Sequence, residues 1–123
     1  LVAGSRIRVE IEGGEAADRV AKAFETFVSG KECVTLRKTK SGENRTNIRP
    51  FVMDASIRRT EAGYTVKCLI KNRSDGSLKP AVLMAALCEL AEIDNVPYLA
   101  YREAILACNR EGQLIPLEEY ENA

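Results

Sequence analysis

Between residues 6 and 12 the chain reads RIRVEIE, with Ile7, Val9 and Ile11 alternating with Arg6, Arg8 and Glu10. A period of two predicts a half-buried strand. Gly13-Gly14 breaks it, and from Glu15 the apolar residues fall at 17, 20, 21, 24, 27 and 28, one face of a helix. Glu15 and Asp18 suit the positive N-terminal end of that helix, and Gly30 suits its end. CVTLRKTK (33–40) predicts a strand, with its return in RTNIRPF across the turn Ser41–Asn44. Pro50 cannot donate a ladder bond and marks an edge or a kink. Beyond it, Phe51, Met53, Ala55 and Ile57 fall on one face, TEAG (60–63) turns the chain, and Tyr64, Val66, Cys68 and Ile70 alternate inward.

The loop RSDGSLKP holds an Asp75-Gly76 turn, and Pro80 fits the first turn of a second helix. Its apolar face is Val82, Leu83, Ala86, Leu87, Leu90 and Ala91. Residues 98–107, YLAYREAILA, are compatible with a helix by composition and with a strand by alternation, and periodicity does not choose. NREGQL reads as a turn and the last residues as frayed and acidic. With 98–107 as a strand, the order is a ferredoxin-like α+β two-layer sandwich, βαββαβ. Its four-stranded antiparallel sheet carries two helices on one face, and a basic β-hairpin near 34–49 protrudes.

The 123 residues are expected to form a single domain. The chain starts with Leu1, which is expected of a fragment or a processed chain, with residues 1–5 a partial tag remnant. No run approaches the 18 apolar residues of a spanning helix, and no signal-peptide pattern is seen, so the expectation is a cytoplasmic protein off the membrane.

Net charge is zero but unevenly spread. Residues 31–79 carry twelve bases against five acids, whereas residues 80–123 carry two against eight. Such asymmetry bears on partners rather than on fold. It peaks in RKTKSGENRTNIRPF (37–51), where Arg37, Lys38, Lys40, Arg45 and Arg49 face Glu43 alone. Laid along a phosphate backbone, such an arm gives salt-dependent affinity. The plainer explanation is an edge hairpin blunted by charge against strand addition; five cations exceed what blunting needs. The arm has no aromatic residue on which bases could stack before Phe51.

Arg49 could serve the arm or pair with an acid such as Asp54 or Glu103. In the loop before the second helix, Arg73, Ser77 and Lys79 form a candidate anion site near free N–H groups, against the plainer reading of a capped helix start with surface cations. At the first helix Glu15 and Asp18 already occupy the positive end, which disfavours phosphate there.

The chain has no histidine, hence not the commonest general base at neutral pH. Cys33, Cys68, Cys88 and Cys108 lack CxxC spacing and read as free, mostly buried thiols without disulfide or metal. Asp54 and Asp75 have no spacing partner, and no GxSxG, P-loop or metal triad occurs, so no catalytic residue is named.

TNIRPFVMDASI, then SDGSLKPAVLMAAL, then YREAIL resemble the C-terminal half of the radical-SAM-linked bacterial domain of unknown function, found fused to or encoded beside a radical-SAM enzyme. The matched features are the basic hairpin leading into Ile48-Arg49-Pro50, the Gly76-to-Pro80 helix entry, and a last strand with Tyr101-Arg102; the resemblance spans residues 6–117. The family's N-terminal half, with its Gly-Phe-Asn-Pro loop, and the CxxxCxxC triad of a radical-SAM cluster are not in this sequence. The resemblance thus implies a non-catalytic accessory module, acting with a radical-SAM protein in cis or trans. It implies no cofactor in this chain, since an iron–sulfur cluster and SAM would belong to the partner enzyme. With the charge pattern it points to RNA or a ribosome-related substrate on the hairpin; the alternative is a structural or protein-interaction domain docking to the enzyme without nucleic acid.

Overall fold

A computed structural model describes residues 3–39, 42–73 and 78–117, with the side chains of 37–39 outside the description. The elements are β1 (Gly4–Glu12), α1 (Glu15–Ser29), β2 (Val34–Thr39), β3 (Gly42–Asn47), a 3-10 turn (Arg49–Phe51), β4 (Val52–Arg59), β5 (Gly63–Lys71), α2 (Pro80–Leu90), β6 (Tyr98–Cys108) and β7 (Leu114–Pro116). Five strands make one antiparallel sheet in the order β4-β5-β1-β6-β7, and β2-β3 make a separate two-stranded sheet. The segment 98–107 is therefore strand, not helix. β7 was not foreseen: the expected sheet of four strands has a fifth, because the Asn109–Gly112 turn returns the chain and Leu114–Pro116 pairs back on Leu106–Cys108.

One core holds the fold. Ile7, Val9 and Ile11 of β1 and Val66, Cys68 and Ile70 of β5 pack with Val20, Phe24 and Phe27 of α1 and Leu83, Met84 and Leu87 of α2. These strand positions share one face because side chains alternate. Both helices thus cover one side of the sheet and leave Arg6, Arg8, Glu10 and Lys67 on the other.

Three details depart from the periodicity. The register slips between Val52 and Asp54, so Val52 enters the core and Met53 is 54% exposed. An extra residue in one strand sends its neighbour to the opposite face. Leu90 is exposed and Met84 is buried, because α2 is covered on more than one side, with Thr35 of the hairpin reaching its Glu89. Val28, at the end of the expected α1 face, is 37% exposed.

The turn between β4 and β5 depends on Gly63, whose φ is 151° and whose missing Cβ would fall on the Ile11 carbonyl. Glycine alone combines that dihedral with that approach.

Candidate functional site

The hairpin is joined to the body at its base. Cys33, Thr35 and Ile48 are buried there. The Ile48 N–H donates to the Cys33 carbonyl at 2.8 Å, and Asn47 Oδ1 accepts from the N–H groups of Cys33 (2.8 Å) and Arg49 (3.3 Å). Away from the base, Val34 and Leu36 are 46% and 51% exposed, and Gly42–Arg45 of β3 are exposed. The register sets Arg37 opposite Asn44, Lys38 opposite Glu43 and Leu36 opposite Arg45. In the strand register Lys38 is thus paired with the position of the hairpin's one acid. Arg45 is exposed beside an exposed leucine and forms no ion pair among the described residues. Lys40 lies outside the described residues.

Arg49 sits elsewhere. Its Nη1 donates to the Val52 carbonyl at 2.8 Å, its Nη2 to the Val28 carbonyl at 3.2 Å, and its guanidinium lies 5.4 Å from the centre of the Phe27 ring. Neither acid proposed for it is its described partner. α1 has no base in its last turn, and Arg49 brings a cation to that negative end from another element. Its Nε is buried without a hydrogen-bond partner. The side chain joins the end of α1 to the start of β4 instead of extending the arm.

The candidate anion site divides similarly. Arg73 stands over the Phe51 ring at 5.8 Å, and Ser77 lies outside the described residues. Lys79 occupies the N-cap position of α2 without a side-chain capping bond and lines a cleft of about 280 Å³ with Ser5, Asn72 and Arg102. Arg102, on β6, is the cation that linear spacing does not pair with Lys79. Besides its place in the Tyr101-Arg102 pair of the last strand, its signal in the sequence is that it is one of two bases in an acidic stretch, and the crossover from α2 to β6 brings the two together. At the far end of β1 a second cleft, of about 360 Å³, is lined by Glu10, Glu12, Ala62, Pro97, Tyr98 and Leu99. Its carboxylates suit a cation and repel phosphate.

On the open face of the sheet Arg8 is neutralised by its neighbours. Arg8 donates to Glu10 at 2.8 Å, lies 3.5 Å from Glu103 and stacks over Tyr101 at 4.3 Å. Thr65 donates to the other oxygen of Glu10 at 2.8 Å. The Arg8 hydrogen bond, then that of Thr65, holds the Glu10 carboxyl below its ordinary range. Across the helix layer, the Tyr64 hydroxyl donates to Asp18 at 2.6 Å, which raises the phenol's pKa.

Cys33, Cys68 and Cys88 are buried and Cys108 is exposed. Burial, with Asp54 adding to it, pushes the Cys68 thiol up to about 12. Burial also raises Cys33 and Cys88. These groups are held as neutral thiols, whereas a metal ligand is a thiolate. No three His, Cys, Asp or Glu side chains converge among the described residues, and no helix among them is long and apolar enough to cross a membrane.

Residues 2–80 match the family described as "Uncharacterized protein conserved in bacteria (DUF2344)". The chain belongs to this family. The DUF2344 match covers β1, α1, the hairpin, β4 and β5 and ends where α2 begins, so the hairpin lies inside the family region and β6 beyond it. No curated protein and no solved structure matches this DUF2344 chain.

Proposed function

We propose that this chain is a non-catalytic accessory module whose β2-β3 hairpin binds RNA, or a ribosome-related RNA substrate, in the cytoplasm. In this reading it corresponds to the C-terminal half of a radical-SAM-linked protein and works beside a radical-SAM enzyme that holds the iron–sulfur cluster and SAM. The observation that carries the reading is the hairpin's separation. It is a sheet of its own, exposed along β3, with Arg37, Lys38 and Arg45 in a register that includes one acid. On the open sheet face Arg8 is already paired with Glu10 and Glu103, whereas Arg45 on the hairpin forms no ion pair among the described residues. The fold is taken as ferredoxin-like. The order β4-β5-β1-β6, all antiparallel, with α1 and α2 as the two crossovers, supports that assignment.

A second reading has its own observation. Val34 and Leu36 are exposed on the hairpin beside Arg45, and aliphatic side chains favour a protein surface over a phosphate backbone. Under it the hairpin docks on an acidic face of the enzyme and touches no RNA.

Salt titration of the full-length protein against single-stranded RNA separates the two. With three to four neutralised phosphates, raising salt from about 50 to about 200 mM weakens binding roughly 20- to 50-fold. Arg37→Glu, Lys38→Glu and Lys40→Glu together abolish binding. No RNA binding at about 50 mM salt contradicts the first reading, and capture of the enzyme lost with Leu36→Asp then supports the second.

A further inference from the structure

We infer that the outer edge of β6 over residues 98–102, which has no strand beside it among the described residues, is a homodimer edge, on which a second copy of this chain lays its own β6 antiparallel. Among the described residues β7 pairs with Leu106–Cys108. Residues 98–104 have β1 along one side and, among the described residues, no strand along the other. Both faces of this stretch are open, with Leu99 64% and Tyr101 42% exposed, and Ala100 and Arg102 exposed as well. Long apolar strand edges invite strand addition, and proteins normally blunt them with charges or bulges. The opposite edge of the sheet, β4, has both devices: Asp54, Arg58 and Arg59, and the slip at Met53. Residues 98–101 have neither, and on this edge the charges and the bulge begin only at Arg102 and Glu103.

The main chain points the right way. The Glu12 N–H donates to the Pro97 carbonyl at 3.0 Å, and Glu10 and Arg8 pair with Leu99 and Tyr101 in the same register. Antiparallel ladders alternate bonded and non-bonded pairs. Leu99 and Tyr101 therefore direct their N–H and C=O groups to β1, while Tyr98, Ala100 and Arg102 direct theirs to the free edge.

The side chains select the partner as another copy. A two-fold axis perpendicular to the sheet must set residues of the same face against each other. Centred on Ala100, it joins Ala100 to itself, Leu99 to Tyr101 of the second copy, and Tyr98 to Arg102 of the second copy. That places aliphatic against aromatic on one face and a cation against a ring on the other. Centred one residue later, the same pairing sets Leu99 against Glu103. The overlap is short because the bulge at Glu103 ends it, so the interface belongs with transient contacts of less than about 1,200 Å².

Sedimentation equilibrium on the full chain, from ~10 μM to ~1 mM, reads the weak dimer expected of so small an interface. Ala100→Pro removes an outward N–H without breaking a bond to β1 and is expected to leave a monomer with unchanged circular dichroism. Leu99→Lys alters an exposed side chain and is expected to weaken the dimer at least tenfold, which keeps the test valid if the proline variant misfolds. In a Cys108→Ser background, Ala100→Cys gives a disulfide-linked dimer with diamide, because facing bonded residues sit about 5.5 Å apart, within disulfide range; Leu99→Cys does not. A wild type that stays monomeric throughout, a dimer indifferent to both surface variants, or cross-linking at 99 but not at 100 overturns the inference. So does a monomer that adds a foreign strand peptide at this edge, which gives the edge to another partner.

Discussion

The hairpin and β6 both expose strand to solvent, and they do so with opposite chemistry. The hairpin carries Arg37, Lys38 and Arg45 and, among the described residues, is fastened near its base, through Cys33, Thr35 and Ile48 and through Thr35 against Glu89 of α2. β6 is fastened to β1 from Tyr98 to Leu106, with one bulge at Glu103, and its Leu99, Ala100 and Tyr101 are exposed. Charge on a lightly anchored element can change without disturbing the core, and it selects polyanions or acidic surfaces. Apolar exposure on a rigid strand instead selects another strand. The cost of a substitution is then set by attachment to the core, and the partner by what is left over.

Substitutions at the shared core sharpen that contrast most. Phe27 is buried beneath Arg49 and within the main cluster. Phe27→Ala is expected to cost about 3–5 kcal/mol in urea melts, because the surroundings cannot collapse into the space of a ring. A loss below about 1 kcal/mol contradicts a packed layer between α1 and the hairpin base.

The next effect is one of pH. The raised Cys68 thiol stays neutral in the folded protein while the unfolded thiol ionises from about 8.5 upward. Its contribution to stability is therefore complete below that pH and is lost as pH climbs toward 12. The slope is up to about 1.4 kcal/mol per pH unit for one group. Cys68→Ala is expected to flatten the high-pH fall relative to wild type; parallel curves rule out a buried neutral thiol as the cause. Glu10 acts at the other end with the opposite sign. Its lowered carboxyl stabilises the fold above the ordinary carboxylate range and stops doing so as pH falls below it.

A smaller change tests how the hairpin is tied. Arg49→Lys keeps the charge but cannot span the Val28 and Val52 carbonyls as the guanidinium fork does. The expected loss is about 1–2 kcal/mol, with RNA affinity reduced less than twofold. A large loss of affinity at unchanged stability returns Arg49 to the binding arm.

This residue also marks how far the sequence could be read. Strict alternation located β1 and β5, and the apolar spacing located α1, since each buries one face against a single layer. The hairpin followed from its turn residues. Beyond that, legibility failed where an environment is made by elements distant in sequence. The face of α2 was right at Leu83, Ala86, Leu87 and Ala91 but missed Met84, which is buried, and included Leu90, which is exposed, because the hairpin covers a second side of the helix. Met53 was placed inward because a bulge leaves no periodic trace. β7 is three residues long and holds only by pairing with β6. Arg49 looked like one more cation of a basic run, and its tie to the end of α1 exists only in three dimensions. Arg102 was passed over for the same reason, since its neighbour Lys79 sits across a crossover.

On the proposed function, the cations of the hairpin's outer part bind RNA without supporting the fold, while its base, through Cys33, Thr35 and Ile48, belongs to the packed body. The most direct test measures melting temperature and RNA affinity on one preparation of the full-length Arg37→Glu, Lys38→Glu, Arg45→Glu protein. Surface changes away from packed features stay within about 0.5 kcal/mol, so the melt is expected to superimpose on wild type while RNA affinity falls at least a hundredfold. An unchanged affinity, or a loss of affinity accompanied by an equal loss of fold, contradicts the account.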